Sequence, residues 1–164
     1  MQAAIEVPVL RWESATLDAC MRYRALALSN PSAEHAAANL YMWDEKYPKE
    51  IAFFENLAAV RVREEQGDYH YLFPVGEGDP IPLLQALYRE SAARGQKLRL
   101  VSVSESELAC LVAQWGEKIE FEETRDWEDY LYDAEKLATL SGKKLHFVRL
   151  GRTFGHLTDE ATYC

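Results

Sequence analysis

Leu57-Ala58-Ala59-Val60-Arg61-Val62-Arg63, and after a Gln66-Gly67-Asp68 turn Tyr69-His70-Tyr71-Leu72-Phe73-Pro74-Val75, form two consecutive strand-like runs. In the first, Val60 and Val62 alternate with Arg61 and Arg63. That period of two predicts a half-buried strand, valines inward and arginines outward. A third run, Glu50 to Glu55, precedes them across Asn56. Strand-like runs separated by short polar turns predict an antiparallel meander.

On either side of the meander the pattern turns helical. Upstream, residues 14–28 predict a helix started by Ser14 or Thr16, with Leu17, Met21 (beside Cys20) and Leu28 as its apolar recurrences. A second helix is predicted from about Ala33 to Trp43, with Leu40 and Trp43 on one side, and Asp44 to Pro48 as a turn. Downstream, Asp79-Pro80 is a helix start: Asp caps free N–H groups, and Pro lacks the N–H that would otherwise go unpaired there. Leu83, Leu84, Leu87 and Tyr88 give that helix its apolar face, and Arg94-Gly95 ends it. Leu98 to Val103 predicts a strand. Ser104 and Glu107 have capping-box spacing for a helix reaching Trp115-Gly116. Lys118 to Glu123 and Trp127 to Tyr132 predict two more strands, and Asp133 caps a short helix to Leu140. This order is α+β, a mixed and mostly antiparallel sheet flanked by helices. It matches the order of elements in the acetyltransferase-like fold.

Composition narrows the partners. With 48% hydrophobic and 12% aromatic residues in 164, the chain can fill a core and is not of disordered composition. Residues 1–142 hold 14 Lys and Arg against 25 Asp and Glu, and this acidic body disfavours general binding to phosphate backbones. Lys143, Lys144, Arg149 and Arg152 form a short basic strip without an acid among them. Cys20, Cys110 and Cys164 are odd in number and widely spaced. With no leader-like start, they predict a reducing, cytoplasmic setting without a disulfide framework. The spacing of Cys and His suits no zinc site, and no run is long and apolar enough to span a bilayer.

Three groupings are candidates for chemistry. Val75-Gly76-Glu77-Gly78-Asp79 lies between a strand and a helix, where backbone N–H groups can hold an anion. Glu77 and Asp79 place two negative charges there, which predicts a structural glycine turn with an Asp cap. Glu120, Glu122, Glu123, Asp126, Glu128 and Asp129 form a carboxylate-rich stretch without ligand spacing, read as a solvated edge. His35, His70, His146 and His156 are scattered, and no triad follows from their order; His70, between Tyr69 and Tyr71, reads as a packed or surface side chain.

Asp129-Tyr130-Leu131-Tyr132-Asp133, then Leu137 and Leu140-Ser141-Gly142-Lys143-Lys144-Leu145-His146, resembles the phosphatidylglycerol lysyltransferase C-terminal family. Asn39-Leu40-Tyr41-Met42-Trp43 is similar to the family's early aromatic helix, and Phe73-Pro74-Val75-Gly76 with Gly78-Asp79 to its Pro-x-Gly turn. Arg125-Asp126 precedes the tyrosines as in that family. The resemblance covers about residues 5–146.

The resemblance implies two acetyltransferase-like lobes in tandem. Residues 1–146 would be the N-terminal lobe and 147–164 a divergent tail, as from a truncated or frameshifted reading frame or a short variant. It implies aminoacyl or acyl transfer, from aminoacyl-tRNA or another acyl donor, with most of the chemistry in the second lobe. This chain alone is then expected to be inactive, with Lys143, Lys144 and His146 as the remnant of a basic substrate-binding strip. Acetyl-coenzyme A is not an expected cofactor, because in acetyltransferase-like proteins the coenzyme's pyrophosphate lies at the glycine turn that Glu77 and Asp79 make acidic, and Phe73 stands where an Arg or Gln is usual. No metal is expected. Two alternatives stay open: a non-catalytic binding module whose exposed sheet edge pairs with a partner or a second copy, the unsatisfied lobe interface being apolar, and a free-standing coenzyme A-dependent N-acetyltransferase.

Overall fold

A computed structural model of the chain describes residues 7–30 and 32–123. The chain divides into two compact units, Met1–Trp127 and Glu128–Cys164, and all described residues lie in the first. Ten elements follow in order: β1 (Trp12–Ser14), α1 (Leu17–Leu26), α2 (Ala37–Met42), β2 (Lys49–Phe54), β3 (Leu57–Arg63), β4 (Tyr69–Leu72), β5 (Val75–Gly76), α3 (Ile81–Ala93), β6 (Leu100–Val101) and α4 (Glu105–Trp115). Short 3-10 turns at Ala33–His35 and Gly116–Lys118 precede α2 and follow α4.

The sheet order is β1-β2-β3-β4-β6, with β5 also paired to β3. All pairs are antiparallel except β4 with β6. This is the predicted α+β arrangement, a mixed and mostly antiparallel sheet flanked by helices. The β2–β3 hairpin closes through two residues, with Phe54 opposite Leu57 and Glu55 at φ 52.

The predicted run Tyr69 to Val75 is interrupted. Arg61 pairs with Tyr71, but Ala58 pairs with Val75, one residue further along than an unbroken ladder would place it. Phe73-Pro74 therefore forms a one-residue bulge, and Pro74 has no N–H to lose from the ladder. The parallel pairing of β4 with β6 stops at Leu72 and Val101, just before the bulge. Beyond it, β5 pairs with β3 alone among the described strands.

Helices cover both faces. On one side α1 and α2 pack Ala19, Cys20, Tyr23, Ala27 and Leu40 onto Ile51, Ala58, Val60, Val62, Leu72 and Val75. On the other, α3 and α4 pack Leu83, Leu84, Leu87 and Leu111 onto Leu57, Ala59, Tyr69, Tyr71 and Phe73. A sheet buried on both sides corrects the half-buried reading of β3. Every residue from Leu57 to Val62 is buried, Arg61 included, and only Arg63 is exposed.

The apolar faces of the first two helices are also corrected. Leu17, Met21, Leu28 and Trp43 are 51–74% exposed. Small side chains, Ala19, Cys20 and Ala27, face the sheet instead, with Tyr23 among them. Burial of small residues lets the α1 backbone approach the strands, and that close packing outweighs burying larger but more distant side chains.

The helix ends follow the sequence more closely. Thr16 Oγ1 accepts from Ala19 N, and Ser14, the alternative start, lies in β1. Asp79 Oδ1 accepts from Ile81 N at 3.0 Å, and Gly95 at φ 73 follows α3. Ser104 and Glu107 form a complete capping box on α4. The strand predicted from Lys118 to Glu123 is absent: Lys118 closes a 3-10 turn and residues 119–123 form no strand. The strand and helix predicted within 127–140 lie outside the described residues.

Candidate functional site

The glycine turn before α3 is fixed by backbone contact. Gly76 has φ 120, and a Cβ there would sit 2.0 Å from the carbonyl oxygen of Asn56. Glu77 N donates to that same oxygen at 3.1 Å. The turn is therefore clamped to the tip of the β2–β3 hairpin, and only glycine fits. Gly78, at φ 137, faces open space. Few N–H groups remain at this helix start. Pro80 and Pro82 have none, and the N–H of Ile81 is taken by Asp79.

The opposite end of α3 anchors a charged cluster. Arg61, on the central strand, donates Nε to Glu50 Oε2 at 2.8 Å and Nη1 to Glu90 Oε1 at 2.6 Å. Its guanidinium carbon lies 4.4 Å from the Trp12 ring centre and 4.5 Å from that of Tyr69. Glu90 also accepts from Trp12 Nε1 at 2.7 Å and from the Tyr71 hydroxyl at 3.3 Å. Burial lowers the Arg61 pKa, but Glu50 and Glu90 outweigh it and hold the guanidinium above its ordinary range. Tyr69 Oη accepts from Arg63 Nε and Nη2. Burial raises this phenol's pKa, yet hydrogen bonds from Arg63 and Arg94 bring it below the ordinary tyrosine range. Every carboxylate and guanidinium in the cluster is matched, so its chemistry is that of a tie between strands and helix.

A third grouping lies on the other face. Tyr23, on the buried side of α1, has its hydroxyl 2.5 Å from Nδ1 of His35, which stands in the 3-10 turn before α2. Both are buried, and burial pushes the tyrosine pKa up and the histidine pKa down. His35 Nε2 has no hydrogen-bond partner. Nearby, Lys49 is buried with Nζ on the Tyr47 carbonyl, its pKa lowered by burial despite Asp44 and Glu34. The Cys20 thiol donates to the Ala15 carbonyl, and burial raises its pKa. A protonated, occupied thiol of this kind is not a nucleophile.

His35 and Tyr23 form the grouping that sequence reading missed. His35 was one of four scattered histidines, and a contact across twelve positions between two helical segments leaves no local signature. His70 is half-buried, its Nδ1 3.0 Å from Glu64 Oε1, as a packed strand side chain should be. Glu120, Glu122 and Glu123 are exposed, as a solvated edge requires. The remaining acids of that stretch lie outside the described residues, as do the predicted substrate-binding residues Lys143, Lys144 and His146. Among the described residues no group of three or more His, Cys, Asp or Glu is placed to hold a metal ion, and no helix is long and apolar enough to cross a membrane.

The fold is shared with a crystal structure of a conserved protein of unknown function from Bacteroides thetaiotaomicron VPI-5482, at TM-score 0.78 and 24% identity. The likeness covers 92% of this chain but 52% of that one, so this chain spans about half its neighbour's length. No curated protein matches. The family model for phosphatidylglycerol lysyltransferase, C-terminal, matches residues 26–152, well over half of the 164. On that match, the chain belongs to the phosphatidylglycerol lysyltransferase C-terminal family.

Proposed function

We propose that this chain is one lobe of a two-lobed aminoacyl- or acyl-transferring protein, and that transfer requires the second lobe. The observation that carries this reading is the family match over residues 26–152, in a chain spanning about half of its structural neighbour. Transfer from a charged tRNA or another acyl donor must position an acceptor amine or hydroxyl against an activated ester and stabilise the oxyanion that develops. Lys143, Lys144 and His146 are the proposed contacts to the donor in this half. Acetyl-coenzyme A does not suit the turn at α3. Its pyrophosphate would meet Glu77 and Asp79 at a helix start where Pro80 and Pro82 offer no N–H and Asp79 already holds that of Ile81.

The test is an aminoacyl-transfer and hydrolysis assay with lysyl-tRNA, run on this chain and on a two-lobed family member. The reading expects turnover from the two-lobed protein and none from this chain. Turnover by this chain alone would overturn it. Calorimetry with acetyl-coenzyme A separates the acetyltransferase alternative, which micromolar binding would establish. A non-catalytic binding role is the second reading, favoured by the exposure of Leu17 and Met21 on α1, Tyr41 and Met42 on α2, and Trp43 just after it.

A further inference from the structure

At its outer edge the tie around Arg61 changes character. Arg63 lies two positions along β3, so its side chain leaves the same face of the sheet. Unlike Arg61 it is exposed. It donates Nε and Nη2 to the Tyr69 hydroxyl oxygen at 3.2 and 2.9 Å. Its partner is therefore a phenol, and among the described residues it makes no ion pair. Arg94, just past the end of α3, holds its guanidinium carbon 4.5 Å from the Tyr69 ring centre, and that of Arg63 lies at 5.6 Å. The Arg94 side chain is 37% exposed. Two solvent-open guanidiniums thus meet at one buried phenol. Each guanidinium carries five N–H donors, and Arg63 uses two of them on Tyr69. The Tyr69 proton has no acceptor among the described residues.

The charge here does not balance. Arg61, Arg63 and Arg94 surround Tyr69, and the carboxylates paired with them are Glu50 and Glu90, which leaves one positive charge in surplus. Glu90 is shared, 2.6 Å from Arg61 and 3.4 Å from Arg94. The acids of the turn between β3 and β4 do not make up the difference. Glu64 is engaged by His70 and Arg99, and Asp68 by Gln96. Glu65 is exposed and pairs with neither arginine. The surplus stands in a chain of net charge -9, where acids are plentiful. An anion beside Arg94 would not face bare carbonyls at the end of α3 either, because those of Glu90, Ser91 and Ala92 already accept from the N–H groups of residues 94–96.

We propose that Arg63, Arg94 and the Tyr69 hydroxyl form a binding site for a phosphate group with three free oxygens, as inorganic phosphate or the end of a phosphomonoester. Donors come from three side chains on three elements, and a group with three free oxygens offers each its own acceptor. A carboxylate or a phosphodiester has only two. The negative charge of the ligand meets the surplus that the cluster leaves open, and Arg61 with Glu50 and Glu90 holds the strands and helix that carry the donors. The assignment uses residues of β3, β4 and the end of α3, and does not depend on the transferase reading.

A magnetic-resonance titration of the full 164-residue chain, labelled with nitrogen-15 arginine and held at constant ionic strength, tests this. Inorganic phosphate should move the Arg63 and Arg94 Nε–H signals together on one saturable curve, with a dissociation constant on the order of 1 mM or tighter. Dimethyl phosphate and acetate should bind roughly tenfold more weakly, and chloride should not saturate. Phenyl phosphate separates the two sources: tighter binding than inorganic phosphate assigns an esterified end, weaker binding the free ion, and either supports the site. Arg63→Gln and Arg94→Gln should each weaken phosphate about tenfold. Arg24→Gln, which removes the same charge from an exposed position on α1, across the sheet, should leave binding unchanged. The signals of the unaltered chain need no variant to fold. Absence of saturation with phosphate overturns the proposal. So does dimethyl phosphate or acetate binding as tightly as phosphate, or a loss in Arg24→Gln equal to that in Arg63→Gln.

Discussion

Arg61 Nη1 lies 2.6 Å from Glu90 Oε1, joining the middle of β3 to the outer half of α3. The Arg61 side chain is 8% exposed and that of Glu90 is 21% exposed, so the pair is largely shielded from water. Arg61→Ala would leave Glu50 without its cation, remove the shorter of the two ion pairs of Glu90, and empty the slot between Trp12 and Tyr69. Losing one partner of a buried pair costs about 3 kcal/mol. Urea denaturation should show that loss, with a smaller one for Arg61→Lys, which keeps the charge but not the planar fork. A loss below about 1 kcal/mol for the alanine variant would place the pair among ordinary surface bridges.

The two glycines of the turn before α3 should respond differently. Gly76→Ala forces a Cβ to within 2.0 Å of the Asn56 carbonyl oxygen at φ 120, so it must break the β3–β5 pairing or displace the hairpin tip. Gly78→Ala, at φ 137 in open space, meets backbone strain only. The expected losses are roughly 3 kcal/mol or more at Gly76 and about 1 kcal/mol at Gly78. Thermal melts of the two variants side by side check the order, and equal losses would remove the clamp.

Ser104→Ala removes the oxygen that accepts from Glu107 N and leaves the reciprocal contact, Ser104 N to Glu107 Oε2, in place. Half a capping box should cost about 1 kcal/mol. Hydrogen exchange in the first turn of α4 should quicken while the sheet amides stay protected.

His35 gives the chain an acid-sensitive term. Burial lowers its pKa in the folded state, whereas the unfolded chain takes up the proton near the ordinary 6.5. Above that pH both states are neutral and the histidine contributes nothing. As pH falls through 6.5 the unfolded state gains a proton that the folded state refuses, and stability drops. The loss specific to His35 grows as pH falls below 6.5, at a rate that cannot exceed about 1.4 kcal/mol per pH unit for one proton taken up only on unfolding. Comparing wild type with His35→Gln across this range isolates it from the carboxylates, and parallel curves would show that His35 titrates freely.

The sequence by itself determined what is local. Alternation placed β3, an apolar run before Asn56 placed β2, and glycine and aspartate placed the ends of α3. Ser104 and Glu107 placed the start of α4. Caps and turns are interactions across two to four residues, so their signal is contained in a short window. The resemblance that points to the family is likewise carried by short motifs. Which faces are buried was decided only by the tertiary structure. Arg61 reads as solvent-facing until Trp12, Tyr69 and Glu90 close over it from other elements. Leu17, Met21 and Leu28 read as core until the sheet accepts Ala19, Cys20 and Tyr23 instead. His35 became a candidate only when α1 set the Tyr23 hydroxyl against its Nδ1 and left Nε2 without a partner. Burial and partnering depend on residues tens of positions away, and no local window contains them.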